Sequence, residues 1–368
     1  MKILITGSEG FIGKNLKARF QFNSTHEILK FDISDGTEAL VHYLDQADFI
    51  YHLAGANRPE NESEFNKGNF ELTEFICGKI REHKKDIPFV LSSSIQALQD
   101  NSYGRSKKLA EEAVVAHANY TNSPCIIYRL RNVFGKWGRP DYNSVVATFC
   151  YNVAHCKPIT ISNPEARLEL VYIDDVINHF VAEIDKVQCG CIYRDVKPVY
   201  SVTLQELANT IISFREMRST LRIPDLGNIF VKKLYGTYTS YLPTESFSYN
   251  LDLKMDDRGF LAEFIKSNNA GQIFISKTKP GITRGDHFHH TKTEKFLVIQ
   301  GEAVVRFRHI IENYSVEYHV NGNELQVIDI PTGYTHSIKN VGTEELITIF
   351  WASEIFNTEE PDTKFLTV

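Results

Sequence analysis

The sequence predicts two folded parts in tandem: an α/β part built on a doubly wound parallel sheet, then an all-β part of short antiparallel strands. Three observations carry this expectation. Over residues 1–200, short β-rich runs alternate with amphipathic helical stretches, the pattern of parallel strands joined by crossover helices. A glycine-rich turn follows the first of those runs directly. From about Phe247 onward the chain changes to brief strands separated by Gly, Asn and Asp, as in an antiparallel sandwich or barrel.

In chain order, KILIT, HEILKFD, DFIYHLAG, PFVLSSS and CIIYRL read as five strands. The clearest helices between them run from Phe65 to His83 and from Ser106 to Tyr120. Val202 to Met217 has apolar residues at helical spacing and closes the first domain. Residues 220–245 lose this period and read as a connector with one short helix. QIFISKT, EKFLVIQGEAVVRFRHI, SVEYHV, LQVIDIP and ELITIFWA then read as strands of the second part. The expected domains are residues 1–243 and 244–368.

A chain of 368 residues can bury two cores. The net charge of −6 and the lack of a Lys/Arg run argue against nucleic acid as a partner. No apolar run approaches the roughly 18 residues that would span a bilayer, so no membrane partner is expected. MKILITG runs as a strand into a turn and is not a basic-apolar leader, so a cytoplasmic location is expected. The six cysteines contain no C-x-x-C pair and read as free thiols. Cys189 and Cys191 flank Gly190, which suits a turn or strand.

In ITGSEGFIGKNL, Gly7 permits the turn after the strand and Gly10 allows close backbone approach to a pyrophosphate. Gly13 lets the next helix pack on the sheet with its N-terminus toward the phosphates. Asp32 ends the second strand, where a carboxylate can hold a ribose 2′-hydroxyl. Tyr103 and Lys107 share one helical face, and an ammonium beside a phenol is expected to lower its pKa. Ser94, at the end of a strand, can donate to a carbonyl oxygen. Such a set suits hydride transfer, with Tyr103 protonating the developing alkoxide.

These strings, with HLAG at 52–55, RLRNVFG at 129–135 and RLELVYIDDV at 167–176, resemble an extended short-chain dehydrogenase/reductase acting on nucleotide sugars. The resemblance implies a Rossmann-type sheet with Ser94, Tyr103 and Lys107 as catalytic residues. It implies a nicotinamide site formed by Gly7, Gly10, Phe11, Ile12, Gly13, Asp32, Leu53, Ala54 and Gly55, with Tyr103 and Lys107 also reaching the cofactor. It places Asn132 and Arg167 toward the nucleotide sugar. Ser94 and Tyr103 stand closer in sequence than is usual in that family, which shortens a substrate-facing loop.

In GITRGDHFHHTKTEKFLVIQG, His287, His289 and Glu294 have the spacing H-x-H-x4-E, and PTGYTHSIKN supplies His336. Residues two apart on a strand point the same way, so His287 and His289 can reach one ion. Glu294 on the next strand and His336 on a facing strand would complete it. Three imidazoles and a carboxylate suit zinc, nickel or iron(II), and zinc is expected. Both strings resemble the signature motifs of the cupin family, with Leu325 standing where a turn glycine is usual. DDRGFLAEF and GITRGDHFHH also resemble sugar-nucleotide 3,5-epimerases of the rhamnose pathway, in which the histidine after Arg-Gly is a base. His287 is therefore open to two roles, ligand or base. Arg284 is the candidate anion contact for a substrate diphosphate.

The entire chain resembles the CapF-type family of bifunctional capsular polysaccharide enzymes. That resemblance implies a UDP-linked 4-keto-6-deoxy-N-acetylhexosamine as substrate. The cupin would invert C3 of UDP-2-acetamido-2,6-dideoxy-β-L-arabino-4-hexulose. The reductase domain would then reduce C4 to give UDP-2-acetamido-2,6-dideoxy-L-talose. NADP(H) is the implied cofactor, with NAD(H) admitted by Asp32, and Zn2+ the implied metal. A homodimer is expected. The alternative is a nucleotide-sugar 4-epimerase or dehydratase whose cupin only dimerises.

Overall fold

A computed structural model of the chain describes residues 1–23, 25–58, 61–186, 188–312 and 314–368. It divides into two compact units: Met1–Ile211 with Lys233–Leu242, and Ile212–Lys232 with Pro243–Val368. Residues 212–232 group with the second unit, and a backbone bridge between Arg222 and Lys266 shows why.

In the first unit the five expected strands form as β1 (Lys2–Thr6), β2 (Glu27–Phe31), β3 (Phe49–His52), β4 (Phe89–Ser94) and β5 (Cys125–Leu130). Three short strands follow, β6 (Asn132–Phe134), β7 (Arg167–Tyr172) and β8 (Cys191–Arg194), then β9 (Tyr200–Thr203). Of these, β6, β8 and β9 have three or four residues, too few for a period to show, while β7 is as long as β5 and is not among the strands expected from the sequence. The main sheet is parallel, in the order β2-β1-β3-β4-β5-β8, and β6-β7-β9 form a small separate sheet. Alternation along each strand feeds two cores. Leu4, Phe89, Leu91 and Ile127 face one helix layer, while Ile3, Ile5, Val90 and Ile126 face the other.

The order reverses at β1/β3, so the crevice beyond their C-terminal ends is the topological switch point of the sheet. Helix Phe11–Asn23 starts there, after the glycine turn. Helix Ser102–Thr121 starts beyond the end of β4, with Asn101 Oδ1 accepting from Gly104 N at 2.7 Å as its cap. The helical stretch over residues 63–82 widens to a π-helix at Asn66–Glu71. The connector contains the short helix Ile229–Thr239. Among the described residues, no helix is long and apolar enough to cross a membrane.

The second unit is antiparallel. Its strands are β10 (Leu253–Asp256), β11 (Gly259–Ser267), β12 (Gly271–Thr278), β13 (Thr283–Phe288), β14 (Glu294–Gln300) and β15 (Glu302–His309). There follow β16 (Ser315–Asn321), β17 (Val327–Ile330), β18 (Tyr334–Asn340), β19 (Leu346–Ala352) and β20 (Lys364–Phe365). Two sheets, β10-β11-β12-β19-β14-β17 and β16-β15-β18-β13-β20, enclose a core of Phe296, Val298, Val305, Phe307, Ile338 and Phe350. This is the cupin-like barrel that the sequence predicts.

Candidate active site and metal centre

In the first unit, Gly7 adopts φ +67°, and a Cβ on it would lie 2.7 Å from Ala54 Cα. The glycine turn therefore packs directly on the HLAG loop, and Ala54 N donates to Thr6 Oγ1 at 3.3 Å. Gly10 N donates to Gly7 O at 3.0 Å, and Gly13 lies so close to Gly7 O that a Cβ would stand at 2.3 Å. Phe11 and Ile12 open the helix beyond this turn, against a core that also takes in Leu53. The glycine turn, the helix start and the HLAG loop are thus packed together at the switch point, the arrangement a pyrophosphate site would need.

Asp32 stands at the end of β2 beside that turn. Its Oδ2 accepts from Glu9 N at 2.9 Å and its Oδ1 from Ile33 N at 2.9 Å, so it ties the turn to the strand end. Lys14, Lys17 and Lys30 line a neighbouring cleft of about 800 Å³ together with Trp137. Lys17 pairs with Glu9.

Tyr103 Oη donates to Asn57 Oδ1 at 2.9 Å, and the Lys107 Nζ lies 5.9 Å from the Tyr103 ring centroid. Burial pushes the Tyr103 phenol up to about 12, against the pull of the Ser94 hydroxyl. The expected lowering by Lys107 does not occur, because desolvation of the phenolate outweighs the other influences on this group. Lys107 is itself buried, its Nζ donating to Ser92 O at 3.4 Å. Burial lowers the ammonium pKa to about 8, with Glu111 working the other way. Ser94 is buried at the end of β4 and accepts from Gln96 N at 3.2 Å.

Three polar residues around this set escaped the sequence reading. Asn69, in the π-helical turn, donates to Ala56 O and Ser106 Oγ at 3.0 Å, while its buried Oδ1 has no partner among the described residues. A Cβ on Gly55 would stand 2.6 Å from that oxygen and 2.8 Å from Lys107 Nζ, so all three meet at one point. Glu111, one turn beyond Lys107, accepts from Ser93 Oγ at 2.6 Å and takes a forked bond from Arg129. Asn57 is the third. Both helices are rich in polar residues, so nothing in the sequence set Asn69 or Glu111 apart from their exposed neighbours.

Asn132 and Arg167 are exposed on β6 and β7, neighbours in the small sheet and outside the Ser94/Tyr103/Lys107 cluster. Asn132 Nδ2 reaches Glu169 O at 3.5 Å. The cysteines are free, with Cys189 exposed and Cys191 opening β8 after a turn at Gly190.

In the second unit, one ligand atom from each of His287, His289, Glu294 and His336 lies within 4.8 Å of the others. His336 is not on a facing strand. It pairs directly with His287 across β13 and β18, and Glu294 comes from the other sheet. A bulge between Gly285 and His287 makes this register possible. Arg284 pairs with Ile338 and His287 with His336, so side chains three apart in sequence point to one face. Arg284 thus shares the barrel face of the cluster, with Nε donating to Thr278 Oγ1 at 2.9 Å and Asp256 at 3.9 Å.

His289 Nε2 and His336 Nε2 each stand 3.5 Å from Glu294 Oε2, and both nitrogens are buried with no hydrogen-bond partner among the described residues. Orphaned imidazole nitrogens converging on a carboxylate oxygen fit a divalent ion, and the N3O donor set matches zinc or iron(II). Burial, then His336 and His289, lowers His287 to about 4, which leaves the neutral form a metal needs. Burial works to raise Glu294, yet His289, His336 and Lys292 hold its carboxyl well below the usual range. His287 is the least buried of the four, and His290 is exposed.

Residues 3–195 match the NAD dependent epimerase/dehydratase family, and residues 254–364 match the Polysaccharide biosynthesis C-terminal domain. Over 363 residues the chain is 42% identical to UDP-2-acetamido-2,6-beta-L-arabino-hexul-4-ose reductase of Pseudomonas aeruginosa, covering 99% of this chain and 98% of the relative. The crystal structure of capsular polysaccharide assembling protein CapF from Staphylococcus aureus superposes with TM-score 0.93 at 44% identity, covering 100% of both chains. The chain belongs to the CapF family. Within the CapF family fold, the first unit also resembles UDP-glucuronic acid 4-epimerase from Bacillus cereus. That match has TM-score 0.52 at 21% identity over 60% of this chain and 83% of that one, a likeness of fold alone.

Proposed function

We propose that the chain is a bifunctional nucleotide-sugar enzyme. Its second unit epimerises C3 of UDP-2-acetamido-2,6-dideoxy-β-L-arabino-4-hexulose, and its first unit reduces the C4 ketone to UDP-2-acetamido-2,6-dideoxy-L-talose. The observation that carries this reading is a complete Ser94/Tyr103/Lys107 set and a complete His287/His289/Glu294/His336 set on one chain. That chain aligns end to end with a 4-ketosugar reductase.

When bound, NADPH would supply the hydride and a zinc ion in the histidine cage would supply Lewis acidity beside the ketone. Tyr103 protonates the C4 oxygen, Ser94 donates to it, and Lys107 holds the cofactor ribose. A neutral phenol with its pKa near 12 keeps its proton until the alkoxide develops, which suits a general acid. In the barrel, Arg284 orients the diphosphate, and His287, the most accessible of the four, faces the sugar. The lysines of the cleft beside Asp32 favour a 2′-phosphate, whereas Asp32 itself favours a free 2′-hydroxyl.

The protein acts as a homodimer through the outer face of the six-stranded sheet. There the register row Leu253, Ala262, Ile275, Ile349, Leu297 and Val327 is apolar, with Leu253 and Val327 exposed, Ile275, Ile349 and Leu297 part-exposed and Ala262 already covered within the chain. NMR of the product made from the 4-ketosugar nucleotide and NADPH tests the reading. A product reduced at C4 and inverted at C3 is expected, and retention at C3 would overturn the epimerase assignment.

A further inference from the structure

The metal cluster has a buried cation against it that the ligand set does not use. Lys292 is 7% exposed, and its Nζ stands 3.3 Å from Glu294 Oε1 and 3.3 Å from Thr363 Oγ1. The other carboxylate oxygen, Oε2, faces His289 Nε2 and His336 Nε2 at 3.5 Å each. The two oxygens of Glu294 are thus divided between the ammonium and the imidazoles.

The segment that holds Lys292 also holds His289. The Asp362 carboxylate accepts from the backbone N–H groups of His290, Thr291 and Lys292 at 2.9, 2.7 and 2.9 Å. Its main-chain oxygen accepts from His289 Nδ1, which leaves Nε2 as the lone-pair nitrogen directed at the cluster. Immediately beyond, β20 pairs with β13, opposing Phe365 to His287.

We propose that Lys292, held in place by Asp362 and Thr363, is a positioning residue that restricts Glu294 to one-oxygen ligation of the metal. The inference rests on the reading of the cluster as a divalent-ion site. To embrace an ion with both oxygens, Glu294 would have to leave Lys292. Among the described residues, the buried ammonium would keep the Thr363 hydroxyl and the Phe356 ring, 5.9 Å away. Lys292 also offsets the carboxylate charge, so an ion held by the three imidazoles keeps its positive charge toward an anionic ligand. One-oxygen ligation leaves room on the ion for that ligand.

Metal-stripped full-length protein titrated with Co(II) tests this, read by binding affinity and by visible absorption of the bound ion. Wild type is expected to take up Co(II) with the strong absorption of a low coordination number. Lys292→Met should bind roughly 10-fold more tightly, because the change removes a cation beside the ion and frees a second carboxylate oxygen to ligate it. Its absorption per ion should be lower, because the second carboxylate oxygen enters the coordination sphere. Lys292→Arg should restore both readings. Thr363→Ala should move them in the Lys292→Met direction by less. A Lys292→Met protein with wild-type affinity and spectrum overturns the inference. Should that variant not fold, a wild-type spectrum and affinity in Thr363→Ala overturns it instead. Wild-type protein that takes up no Co(II) removes the metal site itself, and this inference with it.

Discussion

Lys107 is an ammonium held almost out of water, and its burial acts on stability and chemistry in opposite directions. Desolvation lowers its pKa from 10.5 to about 8, partly opposed by Glu111. A lysine whose pKa falls on folding destabilises the native state at all pH values below the folded pKa. The penalty is relieved as pH rises from about 8 to 10.5, since the unfolded chain then holds the extra proton. At about 1.4 kcal/mol per unit, it is on the order of 3 kcal/mol at most. Lys107→Met should therefore melt above wild type at pH 7, with the gap closing toward pH 10, while NADPH oxidation is lost. Thermal melts across that range decide it, and a variant less stable at pH 7 would show that the ammonium is net stabilising. Asp32 gives a second test. Its carboxylate beside the glycine turn should allow good use of NADH, and Asp32→Ala should shift kcat/KM toward NADPH. A strong NADPH preference that survives the substitution would exclude this role. Tyr103 and Lys107 were legible because a helix puts residues four apart on one face. Asn69 and Glu111 were not, because their partners come from elements remote in sequence. The direction of the Tyr103 pKa was misjudged for the same reason: a charge is visible in a sequence, whereas burial is not.

The elements that build the candidate metal centre are β13 with its bulge, β18 and, from the other sheet, β14. Gly285 adopts φ +98°, and a Cβ on it would meet His336 O at 2.6 Å. Gly285→Ala should force these strands apart or slip the bulge, turning His287 away from His336. The expected outcome is loss of stoichiometric metal by elemental analysis and a lower Tm, with the first unit's NADPH binding retained. Metal retained at wild-type level would show that the bulge is dispensable. The outer sheet face makes a different prediction. Ile349→Lys, at the middle of the apolar register row, should convert the proposed dimer to monomer by light scattering, and a mass unchanged from wild type would exclude an interface on this face. The histidine spacing revealed which residues meet, since alternation puts His287 and His289 on one side. It did not reveal that His336 is a strand neighbour, since register depends on a bulge of Gly285 and Asp286 that no hydrophobic pattern marks. Nor did it reveal the Asp362–Phe365 segment, whose contacts with His289 and Lys292 are largely through the backbone.

On the scale of the whole molecule, the order of the two proposed reactions follows from one functional group. The C3 proton is acidic only while the C4 ketone survives, so reduction ends epimerisation and fixes its outcome. The two activities should therefore separate by mutation, one unit at a time. Tyr103→Phe removes the proton donor at the reductase site and leaves the histidine cluster intact. It should abolish NADPH oxidation, yet still exchange the C3 proton of the 4-ketosugar nucleotide for deuterium in D2O. Glu294→Ala opens the metal cage and leaves Ser94, Tyr103 and Lys107 in place. It should stop the exchange, and the talo product should disappear although NADPH still binds. If Tyr103→Phe instead loses exchange together with reduction, both steps use the crevice at the switch point of the parallel sheet. The barrel would then serve only to join two copies of the chain, and its buried, unpartnered imidazoles would need another explanation.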